Sequence, residues 1–299
     1  MKGIILAGGA GTRLYPLTSI MAKQLQPVYD KPMIYYPLSV LMLGGIKDIL
    51  IITTPRDLED FQTLLGDGSR YGVNFIYKTQ QSPDGLPEAF VIGEEFIKDE
   101  DVCLILGDNL FYGDISFFRN ALVAHREKRD GIKVRIFAYS VADPQSYGVV
   151  EFDNATKLVK SIEEKPENPR SHYAIPGLYL FNSEVASRAK KLQRSKRNET
   201  EIVDLILSYK SENALGVEII NRGVAWMDMG GPKSLLEASS YIAALEERQG
   251  LKVACLEEVA LRMGYINTHQ FEKLISEMPS SFYKDYLTDI SVRLQHLFN

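Results

Sequence analysis

Gly3-Ile4-Ile5-Leu6-Ala7-Gly8-Gly9-Ala10-Gly11-Thr12-Arg13-Leu14 is the stretch that decides the fold of this chain. An apolar run of strand length feeds directly into a glycine-rich loop. Such a run, bounded by turn residues, reads as a strand buried on both faces, as in a parallel sheet. Glycines let the backbone come close to a ligand. Successive backbone N–H groups in such a loop form an anion-binding concavity. Arg13 and Lys23 add fixed positive charge beside Gly8, Gly9 and Gly11, so the loop reads as a site for a nucleotide's phosphates. An ordinary tight turn after a strand has the same local composition. Two well-known phosphate motifs fail here. The dinucleotide fingerprint needs a third glycine where Leu14 stands, and the P-loop needs Gly-Lys-Ser/Thr, whereas Lys23 lies between Ala22 and Gln24.

Working outward, the first half alternates strand-like and helix-like segments. Strands are expected at 3–7, 48–53, 74–77, 102–106 and 133–141, and helices at 33–43, 58–65, 88–97 and 115–126. Alternation of this kind implies an α/β fold with a Rossmann-like, mostly parallel central sheet and helices on both faces. The second half offers short β-like runs at 147–152, 158–163 and 173–181, which read as antiparallel additions. Helices at 184–192 and 201–208 and a strand at 216–220 follow. From Pro232 the chain reads as helical: 234–249, 257–264, 268–278 and 283–298, broken at Gly250. The expected partition is an α/β core over 1–231 and a helical C-terminal region over 232–299.

The chain has 299 residues, 45% hydrophobic and 24% charged, with a formal net charge of −5. That length can bury a sizeable core. The acidic balance argues against a general nucleic-acid or anionic-membrane binder, while leaving room for a locally basic pocket. Two cysteines, Cys103 and Cys255, are too few for a disulfide framework and read as small buried side chains. No signal peptide or membrane-length apolar run is evident, so a cytoplasmic location is expected. The four histidines, His125, His172, His269 and His296, lack the spacing of a zinc site. No Gly-x-Ser-x-Gly elbow supports acyl transfer.

In open α/β sheets, ligands bind outside the carboxyl ends of the strands. That rule gathers the glycine loop, Gly107-Asp108-Asn109 and Gln80-Gln81-Ser82-Pro83-Asp84-Gly85 along one edge. Asp108, directly after an apolar strand, is placed to hold a hard cation such as magnesium. A turn aspartate capping the next helix is the plainer reading. Asp228, before the helix near Pro232, could be a second ligand, although taken alone an aspartate there is more often a cap. Glu163-Glu164-Lys165-Pro166 offers a point charge for a phosphate and a carboxylate for a sugar hydroxyl, or simply a charged turn. Tyr147-Gly148 offers a ring and a close backbone approach for a sugar, or an ordinary strand start.

Taken together, Gly8-Gly9-Ala10-Gly11-Thr12-Arg13-Leu14, Lys23, Gly107-Asp108-Asn109, Glu164-Lys165-Pro166 and Asp228 resemble the sugar-nucleotidyltransferase family. Lys23-Gln24-Leu25, Pro27 through Leu38, Leu64-Leu65-Gly66-Asp67-Gly68-Ser69, Tyr147 through Phe152 and Glu247 through Cys255 extend the resemblance over nearly the whole chain. It implies that a sugar 1-phosphate oxygen attacks the α-phosphorus of a nucleoside triphosphate, with dTTP and glucose 1-phosphate as the substrates. It implies Mg2+ on Asp108 and Asp228 and catalytic roles for Arg13, Lys23 and Lys165. Nucleotide contacts are implied at Gly8, Gly9, Gly11, Gln80, Gly85 and Asp108, and sugar contacts at Asn109, Tyr147, Gly148 and Glu164. A homotetramer and end-product inhibition near the helical tail are implied as well, with no nucleic-acid or membrane partner.

The chain departs from the family pattern at Asp228-Met229-Gly230 and Pro176-Gly177-Leu178-Tyr179, where threonine is usual at Met229 and Pro176. Gln81, Gln26 and Ala22 replace a usual Pro, Leu and Ser. Met229 and Pro176 are expected on the sugar side. Two competing readings remain: a sister enzyme using UTP or ATP, and a non-catalytic nucleotide-sugar sensor that kept the fold.

Overall fold

The computed structural model describes residues 1–9, 11–128, 131–153, 156 and 158–298, with side chains through Arg293. Ala10 of the glycine loop and the side chain of His296 lie outside the described residues. The strand Lys2–Ala7 sits inside a ten-stranded sheet. It pairs in parallel with Asp48–Thr53 on one side and with Val102–Leu106 on the other. Asn74–Thr79 extends the first side, again in parallel. The chain therefore runs outward one way from its first strand and then returns to the other side. The switch point lies between Lys2–Ala7 and Val102–Leu106, where a ligand crevice is expected.

Beyond Val102–Leu106 the sheet continues through Leu178–Phe181, Val134–Ser140, Tyr173–Ala174, Gly148–Phe152 and Val159–Glu164. These pairings are antiparallel, and Leu215–Ile219 joins Val134–Ser140 in parallel. The expected α/β class with antiparallel additions is what forms. The unbroken apolar runs are explained by burial on both faces. Ile5, Ile49, Ile51, Cys103 and Ile105 enter one apolar cluster, and Ile4, Leu6, Leu50, Ile52 and Leu104 enter the other. Tyr35–Leu43 and Ser116–Glu127 cover the first face; Glu88–Ile92 and Ile202–Lys210 cover the second. Cys103 and Cys255 are buried and free, and burial pushes both thiols well up.

The C-terminal helices are Pro232–Gln249, Leu256–Arg262, Thr268–Glu277 and Phe282–Phe298. The first opens with proline and stops at Gly250, whose φ of +64° suits a residue without Cβ. The third is closed by a capping box: Asn267 accepts from the Gln270 N–H, and Gln270 Oε1 accepts from the Asn267 N–H, each at 2.9 Å. Ala238, Ile242, Leu256, Phe271 and Leu287 share the apolar cluster of Ile5 and Ile49, so this region packs onto the sheet. Among the described residues, no helix is long and apolar enough to cross a membrane.

Three differences from the sequence expectation bear on the site. The helix expected at 88–97 splits into Glu88–Ile92 and Glu94–Ile97 around Gly93. The strand expected at 173–181 breaks at Pro176-Gly177, where the Leu178 N–H donates to the Pro176 carbonyl at 2.7 Å. A two-stranded ribbon, Asn109–Tyr112 against Ala225–Asp228, was not anticipated.

Candidate active site

That ribbon builds the site. In its antiparallel register Asp228 stands opposite Asn109, and Trp226 opposite Phe111. The Met229 N–H donates to the Asp108 carbonyl at 3.0 Å. Asp108 itself is carried by the turn leaving the central strand Val102–Leu106. Two carboxylates far apart in sequence are thereby held beside each other at the switch point.

Their electrostatics follow from that proximity. Burial, and then the charge of Asp108, push the Asp228 carboxyl up to about 6, against the opposing pull of Lys23, Arg13 and Lys165. Lys23, only 5% exposed, donates to Asp108 Oδ2. The Asp108–Asp228 pair is an all-oxygen donor set whose mutual repulsion a divalent cation would relieve, so the residues present fit a hard metal ion. Among the described residues no group of three or more His, Cys, Asp or Glu side chains could hold one. Two carboxylates completed by phosphate oxygens and water are the usual magnesium arrangement.

The glycine loop meets this pair from the side of the first strand. Gly11 has φ +61°, in the left-handed region. A Cβ at Gly8 would lie 2.7 Å from Gln80 Oε1, and the Gln80 N–H donates to the Thr53 carbonyl at 2.8 Å. Arg13 reaches back across the cleft: a Cβ at Gly230 would lie 3.0 Å from both of its terminal nitrogens. The guanidinium occupies space that exists because residue 230 is glycine. Gly85, at φ +112°, bridges to Thr200, and a Cβ there would meet the Thr200 carbonyl at 2.1 Å.

The cleft so formed has a volume of about 530 Å³. Gly9, Arg13, Gln80, Gly85 and Asp108, expected as phosphate and nucleotide residues, line it. Asn109, Tyr147, Gly148, Glu164, Lys165 and Asp228 line the remainder. Gly8, Gly11 and Lys23 stand behind this lining, Lys23 through its pairing with Asp108. Lys165 holds a left-handed backbone at φ +44°, with its N–H donating to the Tyr147 carbonyl at 3.0 Å. Burial pushes the Glu164 carboxyl up, against Lys165 and Arg197.

Sequence reasoning missed several lining residues. Arg197 donates to Glu201 Oε2 at 2.5 Å and to Glu164 Oε1 at 3.3 Å, setting a second cation beside Lys165. Its sequence setting, Arg194-Ser195-Lys196-Arg197, looks like a solvated charged loop. Arg194 ties that segment to Asp84 at 2.6 Å. Trp226, with Tyr147 packed at 5.0 Å between ring centroids, forms an aromatic wall. Met229, expected near the sugar side, is fully buried in the apolar cluster and does not line the cleft, while its N–H holds Asp108. Pro176 is buried too, and its neighbour Gly177 lines the cleft instead. Asn109, expected as a sugar contact, turns its amide inward to Gly177, Trp226 and Asp108.

The nucleotidyl transferase family model matches residues 2–244. A glucose-1-phosphate thymidylyltransferase of Neisseria meningitidis is 51% identical over 287 residues, covering 96% of this chain and 98% of that one. One from Mycobacterium tuberculosis is 50% identical over 293 residues, covering 98% and 100%. A Bacillus anthracis protein provisionally assigned the same name and crystallised with sucrose superposes with a TM-score of 0.74 at 37% identity, over 81% of this chain and 94% of that one.

Proposed function

Because the chain belongs to the nucleotidyl transferase family, we propose that it transfers a thymidylyl group from dTTP to α-D-glucose 1-phosphate, releasing dTDP-glucose and pyrophosphate. The observation that carries this reading is the ribbon that holds Asp108 and Asp228 together in a cleft with Arg13, Lys23 and Lys165. The substrate pair is supported by the names of relatives that are 51% and 50% identical over nearly the full chain.

A phosphate oxygen of the sugar phosphate attacks the α-phosphorus of dTTP. As that P–O bond forms, the bond from the α-phosphorus to its bridging oxygen breaks, and pyrophosphate leaves with the electron pair. No nucleophile on the protein is needed. Holding both substrates in line is worth about 7–11 kcal/mol of the barrier. The obstacle is the approach of two anions, and the cleft answers it with cations. Lys165 holds the sugar phosphate, and Arg13 stabilises the departing pyrophosphate. Lys23 steadies the triphosphate from beneath Asp108, and the N–H groups around Gly8, Gly9 and Gly11 cradle it. Gln80 and Gly85 face the thymine base; Tyr147, Gly148 and Glu164 face the sugar. Nucleotidyl transfer is in general divalent-metal chemistry, and Mg2+ on Asp108 and Asp228 would neutralise charge at the α-phosphate. A cytoplasmic homotetramer belongs to the same proposal and is tested by mass measurement in solution.

Pyrophosphate release is the test, measured with dTTP, UTP or ATP against glucose 1-phosphate, with Mg2+ or with EDTA. Release that needs dTTP, the sugar phosphate and Mg2+ is expected. Folded protein that releases nothing above background at saturating substrates ends the reading. A preference for UTP moves it to the sister enzyme. The sensor alternative draws its support from the departures at Met229 and Pro176, and both side chains are buried outside the cleft lining.

A further inference from the structure

Asn109 touches three walls of the cleft and is itself 2% exposed. Its Oδ1 accepts from the Trp226 indole N–H at 2.7 Å and from the Gly177 backbone N–H at 3.0 Å. Its Nδ2 donates to Asp108 Oδ1 at 2.9 Å. The amide has one sensible orientation, because the indole and the backbone both present donors that only an oxygen can accept. With both lone pairs used, the Oδ1 has nothing left for a sugar hydroxyl.

Each partner is a working part of the cleft. Trp226 is 8% exposed and lies edge-on between Tyr139, at 5.7 Å, and Tyr147, at 5.0 Å between centroids. Gly177 is pressed against the central strand: a Cβ there would lie 2.5 Å from Leu106 Cγ. Asp108 receives Lys23 on Oδ2 and Asn109 on Oδ1, so both oxygens are oriented. A carboxylate gripped on both oxygens cannot rotate away from Asp228.

We infer that Asn109 is a positioning residue that fixes the Trp226 indole, the Gly177 backbone and the Asp108 carboxylate relative to one another. It acts on the transfer through these three groups. This rests on the cleft being the transferase site proposed above. Groups that orient a metal-site carboxylate act on catalysis at one remove.

Trp226 is the only tryptophan of the sequence, so its emission reports this contact directly. The test compares wild type, Asn109→Ala, Asn109→Asp and Trp226→Phe as full-length proteins. Emission and acrylamide quenching are read without ligand, and kcat and KM with dTTP and glucose 1-phosphate. Asn109→Ala frees the indole: emission shifts to the red and quenching rises. Its kcat falls about 10–100-fold while KM for glucose 1-phosphate stays within about threefold. Asn109→Asp keeps the acceptor and so keeps wild-type emission. It loses kcat because a like charge replaces the donor facing Asp108. The Asn109→Ala, Trp226→Phe double variant loses less than the product of the two single losses, since the residues act as a unit.

A folded Asn109→Ala protein with wild-type emission overturns the inference. So does a KM for glucose 1-phosphate raised about tenfold at unchanged kcat, the mark of a lost direct contact. If circular dichroism shows that Asn109→Ala does not fold, Asn109→Asp decides, and wild-type kcat in that variant overturns the inference. Wild-type protein without pyrophosphate release ends the transferase reading alone, because the emission comparison needs no turnover.

Discussion

Lys23 and Lys31 are two lysines from the same N-terminal segment, 5% and 2% exposed, and their surroundings differ in one respect. Lys31 belongs to a closed set. It donates to Asp30 Oδ1 and, at 2.8 Å, to Glu246 Oε1. Lys252 donates to Asp30 Oδ2 and, at 3.3 Å, to Glu246 Oε2, and the Val253 N–H adds a bond to Glu246 at 2.7 Å. Two cations and two carboxylates cancel, and every carboxylate oxygen is taken. This clasp bolts the hairpin Pro27–Val28/Lys31–Pro32 to the helix Pro232–Gln249. Lys23 belongs to an open set. It satisfies Asp108 and leaves Asp228 facing a like charge, with Arg13 and Lys165 contributing field without closing a ring. Buried charge is stable when its partners are complete and costly when they are not. The clasp is complete in the protein alone. The cleft is completed by what binds there.

The largest effect expected from this contrast is on stability, at the clasp. Lys31→Met leaves the buried Glu246, and the exposed Asp30 beside it, short of a cation. Removing one member of such a pair costs about 3–5 kcal/mol. Denaturant unfolding should show that loss, while the folded fraction turns over at the wild-type rate. Asp108→Asn should do the reverse. Losing one charge that acts on the transition state costs about 10²–10³-fold in kcat. Stability of metal-free protein should fall less than at the clasp, because the relieved repulsion on Asp228 offsets the charge that Lys23 loses. A Lys31→Met protein that folds well and loses turnover, or an Asp108→Asn protein with near-normal turnover, breaks the comparison.

The two sets also respond to pH with opposite signs. In the clasp, burial alone would raise the Asp30 carboxyl, but hydrogen bonds from Lys252 and Lys31 outweigh it and hold the group below its ordinary 3.8. Its contribution is present above pH 3.8 and is lost as pH falls through the depressed value. In the cleft, Asp228 is raised from 3.8 to about 6. The native state therefore binds that proton more tightly than the unfolded chain does. Its contribution is greatest below pH 3.8 and is lost as pH rises through about 6. Metal-free protein should be most stable between these limits. Asp228→Asn should flatten the decline on the alkaline side, and Asp30→Asn the decline on the acid side. Urea midpoints measured from pH 3 to pH 8 in EDTA separate the two; equal slopes in both variants would contradict the assignment.

Much of this was legible in the sequence, for reasons that differ by residue. The strands 3–7, 48–53 and 102–106 announce themselves because burial on both faces demands unbroken apolar runs. Asp108 was found because a polar residue directly after such a run stands out at the sheet edge. The ribbon was not found. Leu110-Phe111 and Ala225-Trp226-Met227 are too short to show a period of two, and they pair only because distant segments fold together. The clasp was invisible for the same reason: Asp30, Lys31, Glu246 and Lys252 look like solvated charges until the hairpin meets the C-terminal helix. Arg197 sits in a basic run indistinguishable from a surface loop. Met229 is adjacent to Asp228 in sequence but not in the cleft, because the chain leaves the strand at Asp228 and buries the Met229 side chain in the apolar cluster.

The smallest expected effect tests how tightly the open set is specified. At Gly230 an added Cβ would stand 3.0 Å from both terminal nitrogens of Arg13 and 3.1 Å from its Cζ. The obstacle is the far end of a flexible side chain, so the guanidinium can yield by a few tenths of an ångström without moving the backbone. A 1 Å misplacement of a positioning group costs about 100-fold, so Gly230→Ala should cost only about 2–5-fold in kcat/KM, with stability unchanged. The clasp would not tolerate a comparable shift, because each of its oxygens is already committed. In the proposed reaction Arg13 can move because its partner, the leaving pyrophosphate, arrives with the substrate and lets the side chain settle again. A loss near 100-fold in Gly230→Ala would mean that Arg13 is held as rigidly as Lys31, and the distinction between a set closed by the protein and one closed by its ligand would fail at that residue.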